Sequence, residues 1–374
     1  MQIEHVSTVA EFDALEPAWR QLEACTRHRS VFLSWDWQRL WWTHYGGQRQ
    51  LYILVARQNG AVVGLFPLYL ETHRALRVLR VRKLRPIGAG GDTAPDDLGL
   101  LAEPSCEQRV TESFVQHILN SSERWQLLDL VDLPVQSSLV ACLQRYAAQQ
   151  PALVQRDSPK QIIFCDLPPD WNSYRQSLSR HRRQALAQQR RKFEQQPGAR
   201  FHQITEPQQI DAAFARLAEL HRKRWQGRTD EPSFSSTAYL GFHRELMHAL
   251  LPRGRLLLYG LDVEGQTIAM FYGFRLAQTC YHFQAGFDPQ YAALSPGHVL
   301  MGYVIEAAIQ QGCTRFDMLK GDYEHKRHFC RQTRQTVGIR VYRPGLVHWL
   351  YRIKQWRSAR APHAAADGRL QQSA

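Results

Sequence analysis

"TCYHFQAGFDPQYAALSPGHVLMGYVIEAAIQQGCTRFDML", residues 279–319, is the stretch on which the fold turns. It opens as an aromatic-rich extended run and breaks at Asp288-Pro289. It restarts at Ser295-Pro296-Gly297 as a helix pattern over 297–312, and ends in an apolar strand at 315–319. Ser and Pro favour a helix's first turn in any protein, so Ser-Pro-Gly can be plain punctuation. A helix N-terminus also offers free N–H groups and a positive dipole end, so the same tripeptide can floor an anion site.

Just upstream, "RLLLYGLDVEGQTIAMFYGFR" (255–275) places two apolar runs around Glu264-Gly265 and predicts a hairpin. "LYILVARQNGAVVGLFPLYL" (51–70) has the same form around Asn59-Gly60. Setting Gly60 against Gly265 lays Leu51–Val55 on Leu256–Gly260 and Val62–Leu65 on Thr267–Met270, and the helical runs "WDWQRLWWTHYGG" and "LGFHRELMHALLPRG" then align too. Two weakly similar halves follow, divided near "AAQQPALVQRDSP". The expected organisation is a first domain over 1–155, a second over 156–345, an amphipathic helix over 346–360 and a disordered tail over 361–374. The second half reads as strand, helix 171–195, strand, two helices, a three-strand meander, helix, strand, short helix and strand. That order makes a mixed α/β sheet.

At 374 residues with 44% hydrophobic content the chain can bury a full core, and its net charge of +13 favours anionic partners. The seven cysteines are scattered and no Cys/His cluster has metal spacing, so reduced thiols and no metal are expected. The N-terminus carries Glu4, Glu11, Asp13 and Glu16 and lacks a signal-peptide pattern, which predicts a cytoplasmic protein. Arg57-Gln58-Asn59 interrupts the most apolar run, so no transmembrane segment is expected. "GAGGD" (88–92) lacks Walker and Rossmann spacing and reads as a loop lining an interdomain groove.

The motifs "SRHRRQALAQQRRKFEQ", "LHRKRW", "GRLLLYGLDVEGQTIAMFYGF" and "YHFQAGFDPQYAALSPGHVLMGYVIEAAIQQGCTRFDMLKGD", with the lysine of "EHK", resemble the GNAT acyltransferase superfamily. They are nearer its double-domain branch, the BioF2-like (CelD/BcsL-type) acetyltransferases of cellulose and exopolysaccharide loci, with the related Fem-type aminoacyl transferases. The resemblance implies two tandem GNAT-like domains and an acyl-CoA or acetyl-CoA co-substrate lying where two neighbouring parallel strands splay apart. Phe283, Ala285, Gly286 and Phe287 would offer backbone groups to the pantetheine. Ser295, Gly297, His298 and Val299 would sit under the pyrophosphate, in place of the usual small-residue phosphate loop.

In "FDMLKGDYEHKRHF" the ionisable residues cannot all face a core. Amine acylation needs a proton acceptor, an oxyanion stabiliser and a proton for the leaving thiolate. Asp322 is the candidate base or amine orienter, Tyr323 the thiolate's donor as the resemblance implies, and Lys326 the stabiliser of negative charge. His325 stands where relatives place an aromatic and is assigned to the substrate side. The plain alternative is that Asp322 caps a short helix and the lysines are solvated. The helix 171–195 carries seven cations, and its basic face is either solvated or turned to an anionic ligand, a membrane surface or a tRNA acceptor stem. Arg182 and Arg183 on it, with Arg224 and Trp225, are assigned to substrate. The expected activity is acyl-CoA-dependent N-acylation of a small-molecule or glycan-precursor amine, such as an amino sugar, at or near the inner face of the membrane. A Fem-type aminoacyl transferase and a non-catalytic nucleic-acid or scaffold-binding protein are the alternatives.

Overall fold

Sixteen strands appear in the computed structural model, which describes residues 1–75, 79–121, 125–225 and 234–360. Those of the first half are β1 (Gln2–Val6), β2 (Gln50–Leu51), β3 (Ile53–Gln58), β4 (Ala61–Phe66), β5 (Leu68–Ala75), β6 (Leu79–Pro86), β7 (Leu101–Ala102) and β8 (Leu127–Pro134). Those of the second are β9 (Val154–Arg156), β10 (Lys160–Asp166), β11 (Arg200–Gln203), β12 (Leu256–Val263), β13 (Gln266–Leu276), β14 (Thr279–Phe287), β15 (Arg315–Lys320) and β16 (Gln332–Tyr342). A small sheet runs β1-β3-β4-β7. A large one runs β11-β12-β13-β14-β15-β10-β16-β8-β6-β5-β2, with β9 also on β16. The β16–β8 pairing makes one continuous sheet out of strands from both halves. The tail over 361–374 lies outside the described residues.

The two halves repeat at the level of register. In β3–β4, Gln58 pairs Ala61 and Arg57 pairs Val62, and the register then slips so that Ala56 faces Gly64. In β12–β13, Val263 pairs Gln266 and Asp262 pairs Thr267, and the same slip puts Leu261 opposite Ala269. Asn59-Gly60 and Glu264-Gly265 both take positive φ angles, as a tight two-residue hairpin turn requires. The outer partners correspond as well: Gln2 pairs Arg57 in one copy and Arg200 pairs Asp262 in the other. The copies diverge after this hairpin. Where β13 leads directly into β14, the first half inserts the β5–β6 hairpin and the loop 87–100 before the short β7, and β5–β6 joins the large sheet.

All eight residues of β12 are buried, which explains its unbroken apolar run: both faces of this strand are covered. One face carries the helices Ile210–Trp225 and Thr237–Leu250, and the other the helix Pro296–Gln310. The latter is apolar on nearly every side because Arg180–Glu194 packs over it, so closely that a Cβ on Gly302 would lie 2.8 Å from Leu186. The aromatic run of the first half packs into the second. Trp37 meets Phe242 at 4.9 Å and Phe274 and Phe283 at 5.8 Å. Trp37 is fully buried, and burial of a large side chain of this kind stabilises by roughly 1.5–3 kcal/mol.

The single helix expected over 171–195 is two, Trp171–Ser177 and Arg180–Glu194. Leu178 leaves the helical region and Ser179 caps the second piece through the Arg182 amide. Tyr174, Leu178, Leu186 and Phe193 are buried and form the apolar side of the two pieces.

Candidate active site

β14 and β15 run parallel, but their ladder has only three pairs: Thr279–Arg315, Cys280–Phe316 and Tyr281–Asp317. Beyond them the strands part. On β14 the pairing with β13 slips between His282 and Gln284, which makes Phe283 an extra residue of the kind that bends a strand. Gly273 opposite is glycine for this reason, since a Cβ there would sit 2.2 Å from the Tyr281 carbonyl. On β15 the pairing with β10 slips as well, and Leu319 takes a positive φ of 56°.

The opening is a cavity of about 260 Å³ lined by Arg224, His282, Ala285, Gly286, Phe287, Ala292, Ser295–Met301 in part, Met318, His325 and Phe329. The N-terminus of Pro296–Gln310 forms one wall. Ser295 does not cap that helix with its side chain: it is left-handed (φ 49°, ψ 50°), and its hydroxyl accepts from Gln189 Nε2 at 3.3 Å. Pro296 removes one N–H, and Gly297 lies against Phe287 at the cavity wall, its Cβ position 3.4 Å from that ring. Gly286 answers to a different constraint, because the backbone of His221 passes 2.5 Å from where its Cβ would be.

Lys326 braces the parted end of β15. It is buried, and its Nζ donates to the carbonyls of Met318 (2.7 Å), Leu319 (3.2 Å) and Lys320 (2.7 Å). Three donors meet three acceptors, so the ammonium has none left for a reacting group. Burial pushes it down to about 8, against the pull of Asp96, Asp317 and Asp322. Asp317 accepts from the Leu319 amide at 2.8 Å and from Arg334 at 2.7 Å, and Arg334 also clamps Asp97 at 2.5 Å. Asp96 accepts the Lys320 amide at 2.7 Å. Asp96 and Asp97 belong to the first half's loop 87–100, beyond the glycine-rich segment 88–92, and through them this loop latches one half onto β15 of the other. Burial pushes Asp96 up to about 7, with Lys320 opposing.

Three imidazoles line the cavity. Burial lowers His282 to about 3, helped by the positive charge of Lys326, and lowers His298 to about 4, helped by His328 and Arg182. Both rings are therefore neutral at neutral pH, and burial makes them weak bases. His298 packs on Phe329 at 4.6 Å, and His325 stacks on Tyr323 at 5.7 Å.

The residues singled out in the sequence fall into three groups. Ala285, Gly286, Phe287, Ser295, Gly297, His298, Arg224 and His325 line the cavity together. Phe283 and Val299 do not. Phe283 points through the opposite face into the aromatic cluster of Trp37 and Phe274, and Val299 is fully buried under the helix. Asp322 and Tyr323 stand outside the lining and exposed; Asp322 pairs with Arg327 at 2.5 Å, which holds its carboxyl below the usual range. Nor does Asp322 cap the short helix Glu324–Arg327, whose N-cap residue is Tyr323. Arg182 donates to the Arg327 carbonyl at 2.6 Å and so ties the basic helix to this loop, Arg183 is half-buried on the same helix, and Arg224 lies 5.4 Å over the Phe287 ring. Trp225 ends its helix and its side chain lies outside the described residues. Sequence reasoning missed His282, Asp96, Asp97 and Arg334. The available signal was Asp317 in the middle of the apolar "RFDML", a carboxylate that demanded a buried partner.

Among the described residues no group of three or more His, Cys, Asp or Glu could hold a metal ion, and no helix is long and apolar enough to cross a membrane. Residues 180–327, less than half of the chain, match the family model described as an acetyltransferase (GNAT) domain. No curated protein matches the sequence. The structure is similar to that of FemX, with 11% identity over 94% of this chain and 99% of that one at a TM-score of 0.62. It is similar too to the C-terminal domain of a protein described as a lysylphosphatidylglycerol synthetase from Agrobacterium fabrum (9% identity, 92% and 96% covered, TM-score 0.54). A conserved protein of unknown function from Bacteroides thetaiotaomicron is a third (12% identity, 91% and 100% covered, TM-score 0.53). At such identities what is shared is the fold, a mixed α/β, tandem GNAT-type fold with a repeated hairpin register and two parted parallel strands.

Proposed function

We propose that the chain is an acyltransferase that takes an acyl group from acyl-coenzyme A, held between β14 and β15, and transfers it to an amine of an amino sugar or envelope polysaccharide precursor. The observation that carries this reading is the parting of two parallel strands directly above a helix N-terminus. The cavity fits such a donor: it is largely apolar along β14, as a pantetheine arm requires, and it ends at the helix end where backbone N–H groups and dipole favour phosphate. When bound, the donor supplies a thioester carbonyl.

His282, on β14 where the strands part, is the proton acceptor in this reading, in place of Asp322. Burial makes its ring a weak base; an anionic donor beside it offsets the positive field of Lys326 and Arg224 and raises its basicity, so that it takes the proton of the attacking amine and returns it to the thiolate, which leaves as free coenzyme A. Lys326 is a positioning residue that holds the β15 carbonyls in place. The test is release of free coenzyme A from acetyl-coenzyme A with amino-sugar acceptors. His282→Ala should lower kcat/KM by about 100-fold or more at an unchanged melting temperature, whereas Asp322→Asn should stay within about twofold of wild type. Loss of turnover in Asp322→Asn with His282→Ala intact would return the base to Asp322.

The similarity to FemX over 94% of this chain favours a second reading, in which the donor is an aminoacyl group on tRNA. Salt-sensitive tRNA binding without any response to acetyl-coenzyme A would decide for it.

A further inference from the structure

The helix Leu346–Arg360 follows β16 and is held to the body by one face. A His348 ring nitrogen lies 2.8 Å from the Ala152 carbonyl, and Tyr351 stacks on Tyr342 at 4.3 Å and bonds Gln155. Among the described side chains, the opposite face makes no such contacts. Leu346 and Trp349, one turn apart, are 58% and 60% exposed, and few other large hydrophobic side chains stand out so far among the described residues. At 100° per residue, Leu346, Trp349 and Ile353 fall within an arc of about 60°. The same helix carries Arg352, Lys354, Arg357 and Arg360 and no acidic residue.

An exposed Trp and Leu pair on a helix whose charged residues are all cations is the chemistry that inserts into the headgroup region of an anionic bilayer, and each Lys or Arg near such a surface strengthens binding by about fivefold. The basic helix Arg180–Glu194 is less suited to that task, since Arg182, Arg190 and Lys192 are committed to the Arg327 carbonyl, Glu306 and the Ala293 carbonyl. Topology adds a second argument. β15 and β16 both run antiparallel to β10, and β14 is parallel to β15, so the helix and the cavity both lie beyond the C-terminal ends of strands running the same way. We infer that Leu346–Arg360 is a lipid-docking helix that sets this edge of the sheet against an anionic membrane surface. The inference does not depend on which acyl donor the cavity takes.

The test is co-sedimentation of the full chain with vesicles of phosphatidylcholine alone and of phosphatidylcholine with about one third phosphatidylglycerol. The chain should pellet with the anionic vesicles only, less so as salt is raised. The double variant Leu346→Ser with Trp349→Ser should pellet at least about tenfold less while keeping its melting temperature, because both side chains are already in water. Equal pelleting of variant and wild type, or no pelleting of wild type with anionic vesicles, overturns the inference. So does a wild-type dimer in sedimentation equilibrium that the double variant dissolves, which would assign this face to a second copy of the chain.

Discussion

Lys326 shows how a residue type can be right for a site and its role still be decided by neighbours. In sequence it stood among ionisable groups and read as a stabiliser of developing charge. In the fold its three donors hold three successive carbonyls of a strand end that has lost its ladder. Lys326→Met leaves those carbonyls buried and unpaired, so it should destabilise the chain by about 3 kcal/mol in chemical denaturation. Loss of activity without that loss of stability would mean a lysine acting on substrate instead. His282 is the converse case. Nothing in "TCYHFQAGF" marks the histidine out, because its placement depends on a slip in register one residue later, and single-residue slips of this kind have no sequence signature beyond the glycine across the ladder.

Elements of both halves were legible where their physics is local. Two-residue turns at Asn59-Gly60 and Glu264-Gly265 announce themselves through the residues that tolerate positive φ, and the buried β12 through an unbroken apolar run. The break at Leu178-Ser179 was not legible, since it interrupts a periodic pattern without Gly or Pro. The β5–β6 hairpin was missed because its second strand, "LRVRKLRP", is too basic to read as part of a core. The parting of β14 from β15 is an element-scale property, and Gly273 is the place to probe it. A Cβ there must displace the Tyr281 carbonyl, so Gly273→Ala should cost about 1–3 kcal/mol and weaken coenzyme A binding together with stability. A fully stable Gly273→Ala chain would mean that the bulge is not needed for the fold.

At the scale of the molecule, the duplication places a shortened copy of the hairpin beside a complete one, and the loop gained by the first copy closes on the second. That latch was hidden from sequence because it is made of residues far apart in the chain: Asp96 and Asp97 reach Lys320 and Arg334. It also makes stability depend on pH. Asp96 has its folded value raised to about 7 by burial, so the folded chain holds a proton that the unfolded chain has released, and this group's contribution falls as pH rises from about 4 to about 7. Asn keeps the acceptor for the Lys320 amide, so the melting temperature of Asp96→Asn relative to wild type should be higher at about pH 8 than at about pH 5. A constant difference would mean that Asp96 titrates normally. A donor lying between β14 and β15 is tested most directly by calorimetric titration of coenzyme A into wild type and Gly297→Trp. Gly297 and Phe287 line the same cavity, so an indole at 297 takes up the donor's place. Wild type should bind at micromolar concentration and the variant should not, with equal melting temperatures in the absence of ligand. Equal binding by both, or none by wild type, would contradict the account.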